Sequence, residues 1–125
     1  MTDPAFAFEA IDHVQLAMPP GREDAAIEYF VGVLGMTQEP KPEPLASRGG
    51  AWFRGGGVVI HVGADADFHP ARKAHPALLV AGIEALAQRL GAAGHPVRWD
   101  DELPDIHRFH TDDPFGNRIE IVAAS

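Results

Sequence analysis

The 125-residue sequence contains no cysteine, so a disulfide framework, a thiolate nucleophile and a cysteine-ligated zinc site are all excluded. Basic residues are scarce: ten lysines and arginines stand against 18 acidic residues, which gives a formal net charge of −8. Nucleic acid and anionic membranes are therefore unfavourable partners, because each of them binds a basic face. No apolar run approaches the roughly 18 residues of a membrane span. The first ten residues, MTDPAFAFEA, lack the features of a signal peptide, so we expect a single cytoplasmic domain over 1–125.

Histidine, in contrast, is plentiful, with seven residues in the chain. Two strand-like segments each begin with one: His13 opens DHVQLAM and His75 opens the apolar run of KAHPALLV. A histidine near a strand end is often only a hydrogen-bonded structural residue. The coincidence therefore needs support from the order of the surrounding elements.

The predicted order of elements, a strand, a helix and three strands, occurs twice along the chain. A strand over 11–18 precedes a helix in REDAAIEYFVGVLGM, which has acidic residues in its first turn and Gly35 at its end. A proline-rich stretch with at most one edge strand follows, and SRGGAWFRGGGVVIHVGAD then predicts a hairpin. The second half predicts a strand in HPALLVA, a helix in GIEALAQRLGAAG and strands in PVRWDDELP, IHRFHTD and RIEIVA. A turn, DDPFGN, precedes the last strand.

The two halves keep a nearly constant offset. His13 and His75 are 62 residues apart, and His61 and Glu120 are 59 apart. We therefore predict an α+β fold in which two paired βαβββ modules, about 11–65 and 73–123, form a curved mixed sheet.

The alternation of side chains along each strand separates two faces. His13 lies on the opposite face from Val14, His61 opposes Ile60, and Glu120 opposes Ile119. In each strand one polar, metal-capable group interrupts one face while the other face stays apolar. The apolar faces should pack on the helices, and the interrupted faces should line a concave side.

These residues resemble the vicinal oxygen chelate superfamily, which includes glyoxalases, bleomycin-resistance proteins and extradiol dioxygenases. The helix end YFVGVLGM is similar to that family's FY..vLGM pattern, and DDPFGNRIEIV is similar to its DPdGn.iEl pattern. The resemblance covers about 11–123. It implies a metal held at the first and last strand of each module, which places the ligands at His13, His61, His75 and Glu120.

Such a ligand set suits a divalent transition metal, Zn, Ni, Mn, Fe or Co, and does not choose among them. The resemblance implies a glyoxalase-like enzyme, a lyase or isomerase more readily than a dioxygenase, whose small oxygenated substrate chelates the metal. Glu120 would be the catalytic base as well as a ligand. Glyoxalase I typically has glutamate where this chain has His61, so activity on a glutathione adduct is not expected.

Short members of the family often complete their sites between two chains, so we expect a homodimer. The alternative function is a metal-free drug-binding protein of the bleomycin-resistance type, and a stress-related protein with vestigial histidines is a third possibility.

Weaker candidates for substrate contacts come from two strands. Arg48 and Trp52 share one strand parity in SRGGAWFR, and Arg108 and His110 share one face of RFH. An arginine there would hold a carboxylate or phosphate; the alternative is a solvated edge. The acidic run at 100–102 predicts a solvated turn.

Overall fold

The computed structural model describes residues 5–125, which form two modules with one order of strands. The first contains β1 (Val14–Met18), α1 (Glu23–Ile27) continued by a π-helical segment (Glu28–Val33), β2 (Thr37–Glu39), α2 (Glu43–Ala46), β3 (Ala51–Gly55) and β4 (Val58–Ala64). The second contains β5 (Ala77–Val80), α3 (Ile83–Ala92), β6 (Arg98–Asp100), β7 (Arg108–Asp112) and β8 (Arg118–Ala123). Within these residues no helix is both long and apolar enough to span a bilayer.

Each module forms a four-stranded mixed sheet, in the orders β1-β4-β3-β2 and β5-β8-β7-β6. The first strand of each module runs parallel to the last, and the other pairs are antiparallel. Gln15 lies opposite His61 in the first sheet, and Ala77 lies opposite Glu120 in the second. These pairs occupy equivalent positions of the two modules, because Gln15 and Ala77 are 62 residues apart and His61 and Glu120 are 59 apart, the same offsets as in the sequence. The predicted α+β fold of two βαβββ modules is confirmed.

The first predicted helix is present, but its second half is π-helical. Its buried face includes Ala26, Tyr29 and Phe30, as the helical spacing predicts. Leu34 N donates to Tyr29 O at 2.9 Å, a bond between residues five apart that widens the turn. Gly35 adopts a φ of 72° at the end of the segment, a conformation that costs glycine little. The glycine stop predicted from the sequence is therefore correct.

Besides α2, a short helix that was not predicted in the proline-rich stretch, two stretches differ from the prediction. The segment predicted as a strand over PVRWDDELP pairs only from Arg98 to Asp100, and the rest is a loop. Arg48, which was expected on a strand with Trp52, lies in the turn after α2. The following residue pair explains the second difference. Gly49 and Gly50 have φ values of 79° and 91°, which interrupt an extended chain, and a side chain at Gly50 would collide with the Val62 carbonyl.

The core lies between the sheets' apolar faces and the helices. Its fully buried members from strands include Met18, Phe53, Ile60, Phe109 and Ile119. Phe30 stacks on Phe53 with ring centroids 5.0 Å apart, which fixes the first helix on its own sheet. The polar faces are thereby left on the other side of each sheet.

The predicted turn DDPFGN joins the two modules through Asn117. Its Nδ2 donates to Ala17 O at 2.7 Å and to Asp113 Oδ2 at 2.8 Å, while its Oδ1 accepts from Ala71 N at 3.0 Å. One buried amide therefore connects the first strand, the linker and the last turn. Burial raises the pKa of Asp113, and the hydrogen bonds from Asn117 oppose that effect.

Candidate metal centre

His75 lies two residues before β5 and faces the last strand of its module. Glu120 N donates to Pro76 O at 3.0 Å, so the proline stands at the start of the strand and the chain brings His75 beside Glu120. His75 Nε2 lies 2.8 Å from Glu120 Oε1, and its Nδ1 lies 2.7 Å from Lys73 O. Both ring nitrogens therefore face acceptors. When Nδ1–H donates to the Lys73 carbonyl, Nε2 is left to share a cation with the Glu120 carboxylate.

His110 completes a group of three. It lies directly opposite Glu120 across β7 and β8, and its Nε2 is 3.5 Å from Glu120 Oε1. One ligand atom from each of His75, His110 and Glu120 lies within 4.8 Å of the others. Over residues 5–125, no other three histidine or acidic side chains meet that condition. The sequence suggested His110 only as a pocket-lining residue.

Arg108 and Asp100 hold the second oxygen of Glu120 in place. Arg108 Nη1 donates to Glu120 Oε2 and its Nη2 donates to Asp100 Oδ2, both at 3.1 Å. The prediction of a solvated turn is therefore wrong for Asp100, which is the last residue of β6. Burial raises the pKa of Glu120, but hydrogen bonds from His75 and Arg108 outweigh it and hold that pKa below its usual range. Glu120 is therefore ionised at neutral pH.

The donor set of this group fits a divalent metal. Two imidazole nitrogens and one carboxylate oxygen converge, and the remaining carboxylate oxygen is already bound by a guanidinium. Imidazole and carboxylate together suit several first-row ions. The predicted divalent metal thus has a group that could bind it, although the set does not identify the ion.

The equivalent positions of the first module hold a stack of three rings. His61 lies between Trp52 and His13, with ring centroids 3.9 Å and 4.0 Å away and interplanar angles of 2° and 21°. Burial, and then the neighbouring His13, lowers the pKa of His61. At neutral pH the His61 ring is therefore neutral and retains one nitrogen lone pair.

Asp12 orients the outer ring of this stack. Its Oδ2 lies 2.8 Å from His13 Nδ1, which leaves His13 Nε2 as the free nitrogen. The hydrogen bond with His13 lowers the pKa of Asp12. A carboxylate behind a histidine is the arrangement that commonly orients metal ligands. The sequence analysis did not identify Asp12, and its position next to His13 was the signal that could have done so.

The four ligands predicted from the sequence therefore fall into two groups within one chain. His75 and Glu120 meet each other together with His110, whereas His13 and His61 meet in the other module. The histidine pair lines a cleft of about 500 Å³ together with Trp52. Arg48 lines a neighbouring cleft of about 270 Å³, also bordered by Trp52.

Comparisons with known proteins agree with this fold. The chain is 43% identical to a protein described as a glyoxalase family member from Bacillus anthracis, with a TM-score of 0.92 over 98% of this chain and 100% of that chain. The fosfomycin resistance protein FosX from Listeria monocytogenes is 10% identical, with a TM-score of 0.74 over 95% and 96% of the two chains. A virulence protein from Salmonella typhimurium is 17% identical, with a TM-score of 0.69 over 96% and 100%.

The similarity to FosX and to the virulence protein, at 10% and 17% identity, shows the fold alone. No protein-family model matches the chain, and no curated protein matches it by sequence.

Proposed function

Because the chain belongs to the glyoxalase family of the vicinal oxygen chelate superfamily, we propose that it is a metal-dependent, glyoxalase-like enzyme acting on a small oxygenated substrate. The observation that carries the proposal is the convergence of His75, His110 and Glu120 within 4.8 Å. A divalent ion bound there would act as a Lewis acid for negative charge that develops on a substrate oxygen. We favour a lyase or isomerase reaction over a dioxygenase reaction, since stabilising such charge is the chief requirement of those two reactions.

The residues of the chain have distinct roles in this proposal. His75 and His110 supply imidazole nitrogens, and Glu120 supplies an anionic oxygen. Arg108 holds Glu120 Oε2, so Oε1 is the oxygen directed at the histidines. A lowered pKa suits a ligand better than a general base, which works best near the operating pH. The role of Glu120 as the base, like the cytoplasmic location, stays a prediction.

Metal uptake by the purified, untagged protein tests the proposal. We expect the chelator-treated protein to bind about one divalent transition ion per chain and the His75→Ala variant to lose that binding. His69→Ala is the matched control, because His69 Nδ1 also faces a carbonyl two residues before it, Asp67 O at 3.0 Å, but no carboxylate of residues 5–125 bonds its other nitrogen. A wild-type protein that takes up no ion, or a control that loses it equally, would overturn the proposal.

We also propose that the working protein is a homodimer in which His13 and His61 of one copy complete the site of the other. Two observations support this arrangement. The predicted ligands fall into two groups within one chain, and the segment before β1 exposes three large apolar side chains. Phe6, Phe8 and Ile11 are 69%, 97% and 79% exposed. Apolar groups at that density ordinarily find a partner surface.

Mixing two inactive variants tests the shared site. We expect His13→Ala and Glu120→Gln homodimers each to bind metal weakly. A mixed dimer would then recover one intact site of its two, because the intact His13 and the intact Glu120 come from different copies. Equal weakness of the mixed and unmixed proteins, with subunit exchange demonstrated by mass spectrometry, would contradict the shared site.

The alternative is a metal-free drug-binding protein of the bleomycin-resistance type. The observation in its favour is the flat stack of Trp52, His61 and His13 on a cleft of about 500 Å³, which would suit a planar organic molecule. Metal uptake that depends on His75 separates the two functions. Drug binding by a protein that takes up no ion would favour the alternative.

A further inference from the structure

A cavity on the second module is lined by three arginines. Arg72, Arg98 and Arg118, of which the first two are exposed, line an open cavity of about 300 Å³ together with Asp112 and Gly116. Acidic residues outnumber basic ones 18 to 10 in the chain as a whole. The lining of the cavity, with three cationic side chains and one anionic side chain, is therefore positively charged, whereas the chain as a whole is negatively charged.

Two of the three guanidinium groups make no ion pair within residues 5–125. Arg98 donates to both oxygens of Asp112, at 3.0 Å and 2.8 Å, and this pairing raises the pKa of Arg98. The side chains of Arg72 and Arg118 make no hydrogen bond and no ion pair with any residue in the 5–125 range. The single aspartate is thus already used, and the cavity keeps an excess of positive charge.

The backbone explains why these side chains converge. Arg118 N donates to Ala71 O at 2.9 Å, so the linker residue before Arg72 is held against the start of β8. Gly116 turns the chain there with a φ of 92°, and a side chain in its place would press on Pro70, whose Cβ would be 3.2 Å away. The linker and the turn therefore lie close together, and the cavity opens between them.

The cavity borders the candidate metal centre on the same face of the sheet. Arg118 precedes Glu120 by two residues, Asp112 follows His110 by two, and Arg98 lies directly opposite His110. Residues two apart on a strand point to the same face and are separated by about 6.5–7 Å. A small molecule could therefore reach the arginines with one end and the metal-binding group with the other.

We propose that Arg72, Arg98 and Arg118 form an oxyanion subsite that holds a phosphoryl or carboxylate end of the substrate next to the metal centre. Guanidinium groups bind such oxyanions through paired N–H donors, and unpaired guanidiniums at one cavity favour a doubly charged group. The substrate class is then a small, oxygenated anion. The assignment of the anion as part of a substrate rests on the proposed function, while the anion binding itself does not.

Titration of the metal-free protein with inorganic phosphate tests the subsite, followed by NMR of the arginine side-chain signals at constant ionic strength. We expect saturable binding by the wild-type protein that weakens at least about tenfold in the Arg72→Gln, Arg118→Gln double variant. Arg89→Gln is the control and should bind phosphate as the wild type does, since Arg89 lies on α3 and donates to Gly32 O. Absence of saturable binding, or equal weakening in the control, would overturn the subsite.

A second titration with acetate separates the two anion classes. Weaker binding of acetate than of phosphate would support a phosphoryl group, and equal or tighter binding would support a carboxylate. Metal uptake is measured separately on the same variants, and we expect it to be unchanged. A protein that binds metal but not phosphate would lose only the subsite, whereas one that binds phosphate but not metal would lose only the proposed enzyme function.

Discussion

The two modules share one backbone plan but carry different chemistry at equivalent positions. Where the first module has His61 on its last strand, the second has Glu120, and where the first has Trp52 opposite that residue, the second has His110. The first site is a stack of three rings, and the second is a network of hydrogen bonds and ion pairs around one carboxylate. Strand register therefore brings the side chains together in both modules. Residue type alone decides whether they form an aromatic stack or a group that could bind a metal.

The pKa values of the two central residues sharpen this contrast. Burial lowers the pKa of His61 and so keeps it neutral, whereas the hydrogen bonds from His75 and Arg108 overcome burial and keep Glu120 charged. The two residues occupy equivalent positions and are equally exposed, at 8% each. His61 is nevertheless neutral, whereas Glu120 is charged. The hydrogen-bond partners of Glu120, and not its burial, therefore account for the difference in charge.

The largest effect is expected from breaking the charged side of the comparison with Glu120→Gln. Removal of the only anionic ligand should weaken metal binding by more than the about 10–100-fold typical of losing an outer partner of a ligand. Isothermal titration calorimetry with a divalent transition ion measures the change. Glu84→Gln is the control, because Glu84 also lies 2.8 Å from a histidine nitrogen, His107 Nε2, but at an exposed position. Equal losses in both variants would show that Glu120 has no special role.

A smaller effect is expected at the junction that keeps the two modules together. Asn117→Ala leaves the buried Asp113 carboxylate and the Ala17 carbonyl without their amide donor. We expect it to lower the free energy of unfolding by about 1–3 kcal/mol, the usual cost of unpaired buried polar groups. Urea denaturation measures that energy.

Arg89→Gln is the matched control for the junction, because Arg89 Nη2 also links the modules, through Gly32 O at 3.0 Å, but at the surface. Its effect should stay within about 0.5 kcal/mol. A loss as large as that of Asn117→Ala would mean that burial does not distinguish the two links.

The smallest effect is expected in the pH dependence of stability, to which His61 and Glu120 should contribute over different pH ranges. The pKa of His61 is lowered in the folded protein, so its contribution to stability is present above pH 6.5 and declines as the pH falls below that value. The pKa of Glu120 is also lowered, so its contribution is present above pH 4.5 and declines only below it. Of these two residues, only His61 should respond between these values.

Urea midpoints of the metal-free protein across this range provide the measurement. His61→Phe should flatten the dependence between pH 4.5 and 6.5, and Glu120→Gln should flatten it below pH 4.5. Flattening of the upper range by Glu120→Gln instead would reverse the assignment.

Much of the fold was predictable from the sequence because the repeat is recorded in residue types and offsets. The strand that follows His13 and the strands that carry His61 and Glu120 alternate clearly, and Gly35 and the DDPFGN turn provide stop signals. The grouping of His110 with Glu120 was not predictable, because parity gives the face of a strand but not its register against the next one. Asp100 was missed for the same reason, since only its pairing with Arg108 reveals its role.

Other differences arise from backbone geometry that residue patterns do not encode. The buried residues Ala26, Tyr29 and Phe30 also satisfy the spacing of an α-helix, so the pattern did not indicate the wider turn. Arg48 was placed on a strand because its parity matched that of Trp52. The paired glycines after it bend the chain with positive φ values, and at Gly50 the carbonyl of the distant Val62 leaves no room for a side chain.

The amide of Asn117 also has a consequence for the order of folding. Its bond to Ala17 joins positions 100 residues apart in the chain, one of the longest loops that this protein can close. Closing such a loop has a high entropic cost before the contact returns any stability, so we expect the bond to form after both sheets have formed. Its loss should then accelerate unfolding and leave the rate of folding nearly unchanged. The amide therefore acts mainly on how long the native state persists.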